Sequence, residues 1–336
     1  MKRATSLALF AALVAGCGGQ APASRETPSV LDPKGDGASI IAHELHLEFA
    51  IAAAVFVLVV GLLIGIVIVR TRRDPDETTW ADERSAYRWV ILGGVLLPAV
   101  VLSVIVGVTV NDLTRLTDPP QRESLTIEVI GHRWWWEVRY PALGIVSANE
   151  IVIPVGETVK FRVESRDVIH SFWVPQLQHK MDLIPGRWNT LWVRATTGGV
   201  FRGVCSQFCG IEHARMHFLV RAMPRARWAA WRAAAPRPAH VPQQASAVRG
   251  RGVFLSNSCA YCHTIAGTPA SGQVGPDLTH VASRLTLAAG MLPNTRGYLA
   301  GWISDPQSQK PGVDMPRTRL SGRDLQALLD YLRSLR

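Results

Sequence analysis

Four side chains suited to soft metal ions, Cys205, Cys209, His213 and Met216, fall within twelve consecutive positions. In an exported protein two cysteines can close a disulfide, but a histidine and a methionine so near them point to a metal. Zinc would take Cys205, Cys209, His213 and a distant histidine as a closed tetrahedral site. Thioether is a poor zinc ligand, whereas thiolate, imidazole and thioether together suit copper, so the local chemistry favours copper. Two thiolates can also bridge two metal ions, which a pair of coppers sharing one electron requires. A second cluster, Cys259-Ala260-Tyr261-Cys262-His263, has the spacing of c-type haem attachment. Its thiols add to the haem vinyl groups and His263 ligates the iron. A redox dithiol is the competing reading, disfavoured by the histidine that follows at once. For the opposite face of the iron, Met315 in the turn-rich stretch Gly312-Val313-Asp314-Met315-Pro316 is the first candidate and Met291 the second. A Met/His pair raises the iron potential and favours electron transfer over oxygen chemistry.

Two kinds of texture must position these groups. From Glu123 to about Met223 the chain reads as strands: Ser124 to Ile130 alternates, while Ile151 to Val155, Thr158 to Val163 and Asn189 to Arg194 are β-branched runs. Turn signals such as Pro154-Val155-Gly156-Glu157 and Pro185-Gly186 separate them. Short strands at this spacing predict a β-sandwich or Greek-key barrel. Arg225 to Ala247 is rich in Ala and Pro and reads as a semi-extended linker. Beyond it the period is helical: Arg249 to Ser256 forms a short helix, and Ser321 N-caps a last one with Leu325, Leu328, Leu329 and Leu332 on one face.

Ahead of the strands, Phe49 to Val69 and Trp89 to Val110 carry no charged residue. Each meets the roughly 20 apolar residues that a helix needs to cross a hydrocarbon core. Arg70, Arg72, Arg73, Arg84 and Arg88 lie between or beside them, which puts that loop in the cytoplasm and both flanks outside. Met1-Lys2-Arg3 followed by the apolar run Leu7 to Ala15 is an export signal too short to span. Its end, Val14-Ala15-Gly16-Cys17, resembles a bacterial lipobox that would leave Cys17 as a lipidated N-terminus on the outer face; an ordinary signal with an incidental cysteine is the alternative.

Composition agrees with a multidomain membrane chain. The 336 residues are 48% hydrophobic and 18% charged, which argues against disorder. The net charge of +10 comes from scattered Lys and Arg without a dense run, so nucleic acid is not an expected partner.

Here the residues carry a specific resemblance. The Cys205–Met216 stretch is similar to the CuA-binding loop of cytochrome c oxidase subunit II, and DVIHSFWVPQLQHKMDLIPGR matches that family's other ligand strand. The resemblance implies that His170 is the remote imidazole, that Cys205 and Cys209 bridge the coppers, and that His213 and Met216 complete the set. Gln207 sits where the family contributes a main-chain carbonyl. The usual residue there is Glu, whose side chain also helps hold a magnesium ion at the junction with subunit I; a backbone ligand survives the change to an amide, the magnesium role less so. The run GHRWWWEVRY resembles the family's aromatic stretch, in which an exposed Trp receives electrons from cytochrome c, and the matching position is Trp134. Core packing is the alternative for three consecutive tryptophans, with Trp135 facing away from its neighbours. Residues 247–336 resemble class I cytochrome c throughout, with Gly250 and Phe254 on the first helix, Gly275-Pro276-Asp277-Leu278 after the attachment motif, and Met315 at the family's ligand position.

The resemblance therefore implies a chain in six parts: a signal peptide over 1–16, an outer-face tether over 17–44, a two-helix transmembrane hairpin over 45–111, an all-β cupredoxin-like sandwich with Greek-key topology over 122–226, a linker over 227–246, and an all-α class I cytochrome c domain over 247–336. It accounts for all five cysteines, Cys17 for lipid, Cys205 and Cys209 for copper, Cys259 and Cys262 for haem. The implied activity is electron input to a haem-copper oxidase of the bacterial cell membrane. Electrons from an external cytochrome c donor would pass through haem c and a binuclear CuA centre to subunit I, which with the other oxidase subunits reduces oxygen and pumps protons. A flexible linker would let the cytochrome domain swing between donor and copper. Between Arg122 and Arg227 there are 14 basic and 9 acidic residues, a net of +5, so a basic donor meets no obvious acidic face and weak salt dependence is expected. Two other readings share these motifs: the CuA subunit of a nitric oxide reductase, and a copper-binding carrier or assembly lipoprotein, for which a haem domain has no use.

Overall fold

A computed structural model of the chain describes residues 28–72, 83–118 and 122–336. Cys17 and the signal-type segment before it lie outside these residues, as does most of the arginine-flanked loop.

Two long apolar helices come first. Helix α1 runs Asp36–Arg72 and α2 runs Glu83–Thr117. No residue in the apolar window of either helix is buried in the isolated chain, as a lipid-facing surface requires. Within α2, Leu92–Leu96 is π-helical just before Pro98. A proline ring cannot fit the ordinary i−4 carbonyl, and the wider turn accommodates it. The described part of the expected tether is held on the sandwich, with the Lys34 amide donating to the Gln176 carbonyl at 2.7 Å. Gly35 bridges to Ala195 of the sandwich, and Asp36 pairs with Arg194 at 3.0 Å. The N-terminus of α1 therefore lies on the sandwich, and the C-terminus of α2 leads into its first strand. Both flanks of the hairpin therefore sit on one side.

Ten strands build the sandwich. One sheet contains β1 (Leu125–His132), β2 (Trp135–Tyr140), β3 (Ile145–Ala148), β5 (Val159–Ser165) and β8 (Asn189–Val193), in the order β3-β2-β1-β5-β8. The other contains β4 (Glu150–Pro154), β6 (His170–Trp173), β7 (Met181–Leu183), β9 (Gly199–Cys205) and β10 (His217–Met223), in the order β4-β10-β9-β6-β7. β1 pairs parallel with β5, and β10 parallel with β4, while the remaining pairs are antiparallel. The strands alternate buried and half-buried positions, so the inner faces meet in a core of Trp136, Phe161, Phe172 and Phe218. Phe172 and Phe218 stack at 4.5 Å with Trp136 edge-on to both. Aromatic pairs in these geometries add to their burial.

The segment read as an extended linker departs from that expectation. Its start is a helix, α3 (Arg225–Ala234). Trp228 and Trp231, three apart on one helical face, explain why: Trp228 is buried in the sandwich core, and Trp231 lies 5.2 Å from Tyr140. Alanine supports helix between them, and the chain leaves helix before Pro236 and Pro238. The rest of the connection is held as well, with the Ala239 amide donating to the Ala266 carbonyl and His280 touching the carbonyls of Ala235 and Arg237.

The last domain is helical. It comprises α4 (Ala245–Ser256), α5 (Cys259–Cys262), α6 (Arg296–Ser304), α7 (Pro306–Gln309) and α8 (Gly322–Ser334), with a two-residue ladder between β11 (Thr286–Leu287) and β12 (Leu292–Pro293). α4 crosses α8 so closely at Gly250 that a Cβ there would lie 1.9 Å from the Ala327 carbonyl. Phe254 and Tyr331 meet edge to face across the same crossing. Ser321 caps α8 as its sequence suggests, its side chain accepting from the Asp324 amide.

Candidate functional site

The loop after β9 folds back so that its soft atoms meet a histidine from β6. The sulfurs of Cys205 and Cys209 are 3.8 Å apart. Around Cys205 lie the Nδ1 of His170 at 3.9 Å and the Gln207 carbonyl at 3.2 Å. Around Cys209 lie the Nδ1 of His213 at 3.7 Å and the Sδ of Met216 at 3.8 Å. Two imidazoles, a thioether and a main-chain carbonyl thus surround two adjacent sulfurs. Burial is deep for Cys205, Cys209, Met216 and His170. This donor set is too large and too soft for a four-coordinate Cys₂His₂ zinc site, and a pair of copper ions sharing both thiolates fits it.

The strands fix this arrangement. Backbone pairing of Phe172 with Cys205 sets β6 against β9, which brings His170 across to the loop. Gly131 on β1 leaves the space for the His170 ring, since a Cβ there would lie 2.8 Å from its Cδ2. Behind His170, Asp167 Oδ1 is 2.8 Å from Nε2, leaving Nδ1 to face the sulfurs. Burial works against a charged imidazole, but the hydrogen bonds to Asp167 and Cys205 outweigh it and raise the His170 pKa. The Cys205 thiol is drawn far down by its contact with the Cys209 sulfur, which conversely holds its own proton. One thiolate therefore forms readily, and a cation between the sulfurs would displace the second proton.

A second constellation faces a cavity in the helical domain. Cys259, Cys262, His263 and Met315 all line it, with Phe254, Leu299 and Leu332 among the apolar walls. Met315 borders this cavity and Met291 does not. His263 Nδ1 donates to the Pro276 carbonyl at 2.7 Å, which leaves Nε2 as the free ligand atom. Burial lowers the His263 pKa and keeps the ring neutral, the form that binds iron. Gly275 packs under the ring, where a Cβ would come within 2.6 Å of Cε1. Arg284 also lines the cavity, half-buried, with its Nε buried and unpartnered among the described residues. A haem fits this donor set: two thiols, a neutral imidazole, a thioether, an apolar enclosure and a half-buried guanidinium suited to a propionate.

The two constellations adjoin. Arg133, Trp134 and Trp135 of the sandwich complete the wall of the haem-type cavity. Trp134 also donates from Nε1 to the Cys209 carbonyl at 2.9 Å. The expected exposure of this tryptophan is not observed: it is only 9% exposed, because the cytochrome domain covers it. The alternation within the run is as expected, with Trp135 half-buried between two buried neighbours and stacked on His132 at 4.3 Å.

Four side chains around these sites escaped sequence reading: Asp167, Arg284, Lys310 and Glu150. Asp167 stands three residues before His170, a spacing that could have marked it. The others are ordinary charges in sequence and acquire their settings only when the domains meet.

Comparisons with known proteins agree with this construction. The model of the cytochrome c oxidase subunit II periplasmic domain matches residues 145–223, and the cytochrome c model matches residues 247–336. Cytochrome c oxidase subunit 2 of Alkalihalophilus pseudofirmus is 34% identical over 98% of this chain and 96% of its own length. The corresponding protein of Bacillus sp. (strain PS3) is 31% identical over 98% of this chain and 95% of its own. Among solved structures, the periplasmic domain of cytochrome oxidase subunit II of Bradyrhizobium japonicum is 34% identical over 34% of this chain and 94% of that one, at a TM-score of 0.33. With two membrane-competent helices, a thiolate-imidazole cluster in a β-sandwich and a haem-type pocket joined to it, the chain belongs to the cytochrome c oxidase subunit II family, in the form that carries its own cytochrome c domain.

Proposed function

We propose that the chain takes single electrons from an external donor at its cytochrome domain and passes them through Trp134 to a copper pair, and thence to the catalytic subunit of the oxidase. The observation that carries this reading is the double position of Trp134. Its indole borders the cavity lined by Cys259, Cys262 and His263, and its N–H is bonded to the Cys209 carbonyl. A short route of packed and hydrogen-bonded atoms thus links one set of ligand residues to the other.

The bound metals would supply the one-electron chemistry. The residues hold and isolate them. Cys205, Cys209, His170, His213, Met216 and the Gln207 carbonyl would hold the copper pair. Cys259 and Cys262 would anchor haem c, and His263 and Met315 would ligate its iron. Asp167 orients His170 and the Pro276 carbonyl orients His263, and none of these groups is called on to move a proton. The exposed Phe208 and Gln207 at the tip of the copper loop offer a contact for subunit I. Oxygen reduction and proton pumping would belong to that partner. The hairpin would anchor the chain with its large domains outside the membrane, and Cys17 would add a lipid anchor.

Purification of the membrane complex tests this. Two coppers and one covalent haem per chain, with a mixed-valence copper signal and oxygen consumption, are expected. Zinc at the thiolates, or a complex that reduces nitric oxide but not oxygen, would overturn it.

A further inference from the structure

Two buried charges cross the boundary between the cytochrome domain and the sandwich in opposite directions. Lys310, from the end of α7, is 1% exposed. Its ammonium donates to the carbonyls of Trp134 at 2.8 Å and Arg215 at 3.0 Å, both in the sandwich, and approaches the Ala288 carbonyl of its own domain at 3.4 Å. Glu150, from β4, is 5% exposed and reaches the other way. Its Oε1 accepts from the amides of Leu285 at 2.6 Å and Thr286 at 2.9 Å, and Arg221 stands 3.7 Å from Oε2. Buried charges are costly unless partnered, and the Trp134 and Arg215 carbonyls reach Lys310, and the Leu285 and Thr286 amides reach Glu150, only when both surfaces meet in one register.

The backbone between these points is shaped by the contact. Ala288, Ala289 and Gly290 are all left-handed, with φ of 51°, 60° and 79°. Two consecutive alanines adopt this conformation only where surroundings impose it. Their carbonyls are the ones used: Ala288 accepts from Lys310, and Ala289 accepts from the His217 amide at 3.0 Å. Gly290 and Gly312 let the surfaces close, since a Cβ would come within 2.8 Å of the His217 Cβ at the first and 2.7 Å of the Ile211 Cδ1 at the second.

We infer that Lys310 and Glu150 are a two-point latch that fixes the cytochrome domain on the sandwich with its haem cavity against Trp134, so that electrons cross in one held pose and not in a swinging encounter. The inference rests on the relay proposed above. The step is a single electron leaving the iron and entering the copper pair, one oxidised and the other reduced by one, with no bond made or broken. Both residues are positioning residues. Neither is assigned a metal.

The test uses the purified oxidase complex with Lys310→Met and, on the other side of the boundary, Glu150→Gln. Two quantities are read: the rate from haem c to copper after rapid haem reduction, at several viscosities, and hydrogen exchange at the His217 amide. With copper and haem spectra unchanged, Lys310→Met is expected to slow transfer at least about tenfold, as loss of a buried charged donor implies. It should also make the rate viscosity-dependent and expose the His217 amide. Glu150→Gln should act in the same direction, more weakly. Rates within about twofold of the parent and a still-protected amide in both variants would overturn the latch while leaving the relay intact. A parent complex with no haem-to-copper transfer would sink the relay instead; the amide would then decide the latch alone, its protection lost in Lys310→Met supporting it and kept overturning it.

Discussion

The imidazole of His170 is held from behind, with Asp167 Oδ1 at 2.8 Å from Nε2 while Nδ1 faces the Cys205 sulfur. Supporting partners of this kind are worth about 10–100-fold in metal affinity. Asp167→Ala is therefore expected to release copper about 10–100-fold more readily to a competing chelator, with haem c content unchanged. Retention equal to the parent would show that packing alone orients the ring. At the other centre, a Cβ on residue 275 would stand 2.6 Å from the His263 ring. Gly275→Ala should displace that ring and destabilise the cytochrome domain by about 1–3 kcal/mol, read by its thermal unfolding together with a shift of the haem spectrum. The local ligands of both sites were legible because the chemistry is written in short spacings: four ligands in twelve positions, and Cys-x-x-Cys-His. His170, 35 residues before Cys205, needed the family resemblance. Asp167, a lone carboxylate in a loop, carried no signal that reading used.

At the scale of elements, alternation in strands and the leucine period of α8 gave the sandwich and the last helix from sequence, since each reflects one buried face. Register between elements was not legible in this way. The α4–α8 crossing depends on Gly250, where a Cβ would lie 1.9 Å from the Ala327 carbonyl, whereas the Ser321 cap is exposed and local. Gly250→Val should consequently cost 3 kcal/mol or more, beyond the roughly 1–3 of ordinary overpacking, and Ser321→Ala about 1 kcal/mol. Thermal unfolding followed at the haem would order them, and equal losses would count against the crossing as the tighter constraint. The linker was misread for a physical reason. Its alanines and prolines suggest extension, but Trp228 and Trp231 share a helical face, and the sandwich offers Tyr140 and an apolar edge to receive it. A partner surface decided the conformation.

For the whole molecule, the main departure from expectation is that the cytochrome domain sits on the copper domain and buries Trp134. That burial closes the indole to a soluble donor, and under the proposed relay an external donor would dock on the cytochrome domain instead. Lys310 could not have been recognised in Gln309-Lys310-Pro311, where a lysine ordinarily points to water; only the meeting of two domains buries it. A fixed pose has a consequence for the connection between them. For a swinging domain, each doubling of a flexible linker costs about 0.6 kcal/mol of closure entropy, roughly threefold in encounter. Inserting a Gly/Ser stretch beside the exposed Val241 should instead leave haem-to-copper transfer within about twofold of the parent, and a progressive slowing with length would favour swinging. Transfer inside the docked chain should also be insensitive to ionic strength, because no encounter step remains to be screened.

The relay itself is tested most directly by reducing haem c with a light pulse in the purified complex and following haem and copper absorbance together. The expected result is loss of the reduced-haem signal and reduction of the copper pair in one matched phase, at a rate independent of protein concentration. Haem that stays reduced while copper remains oxidised, or copper reduction that scales with concentration, would contradict it.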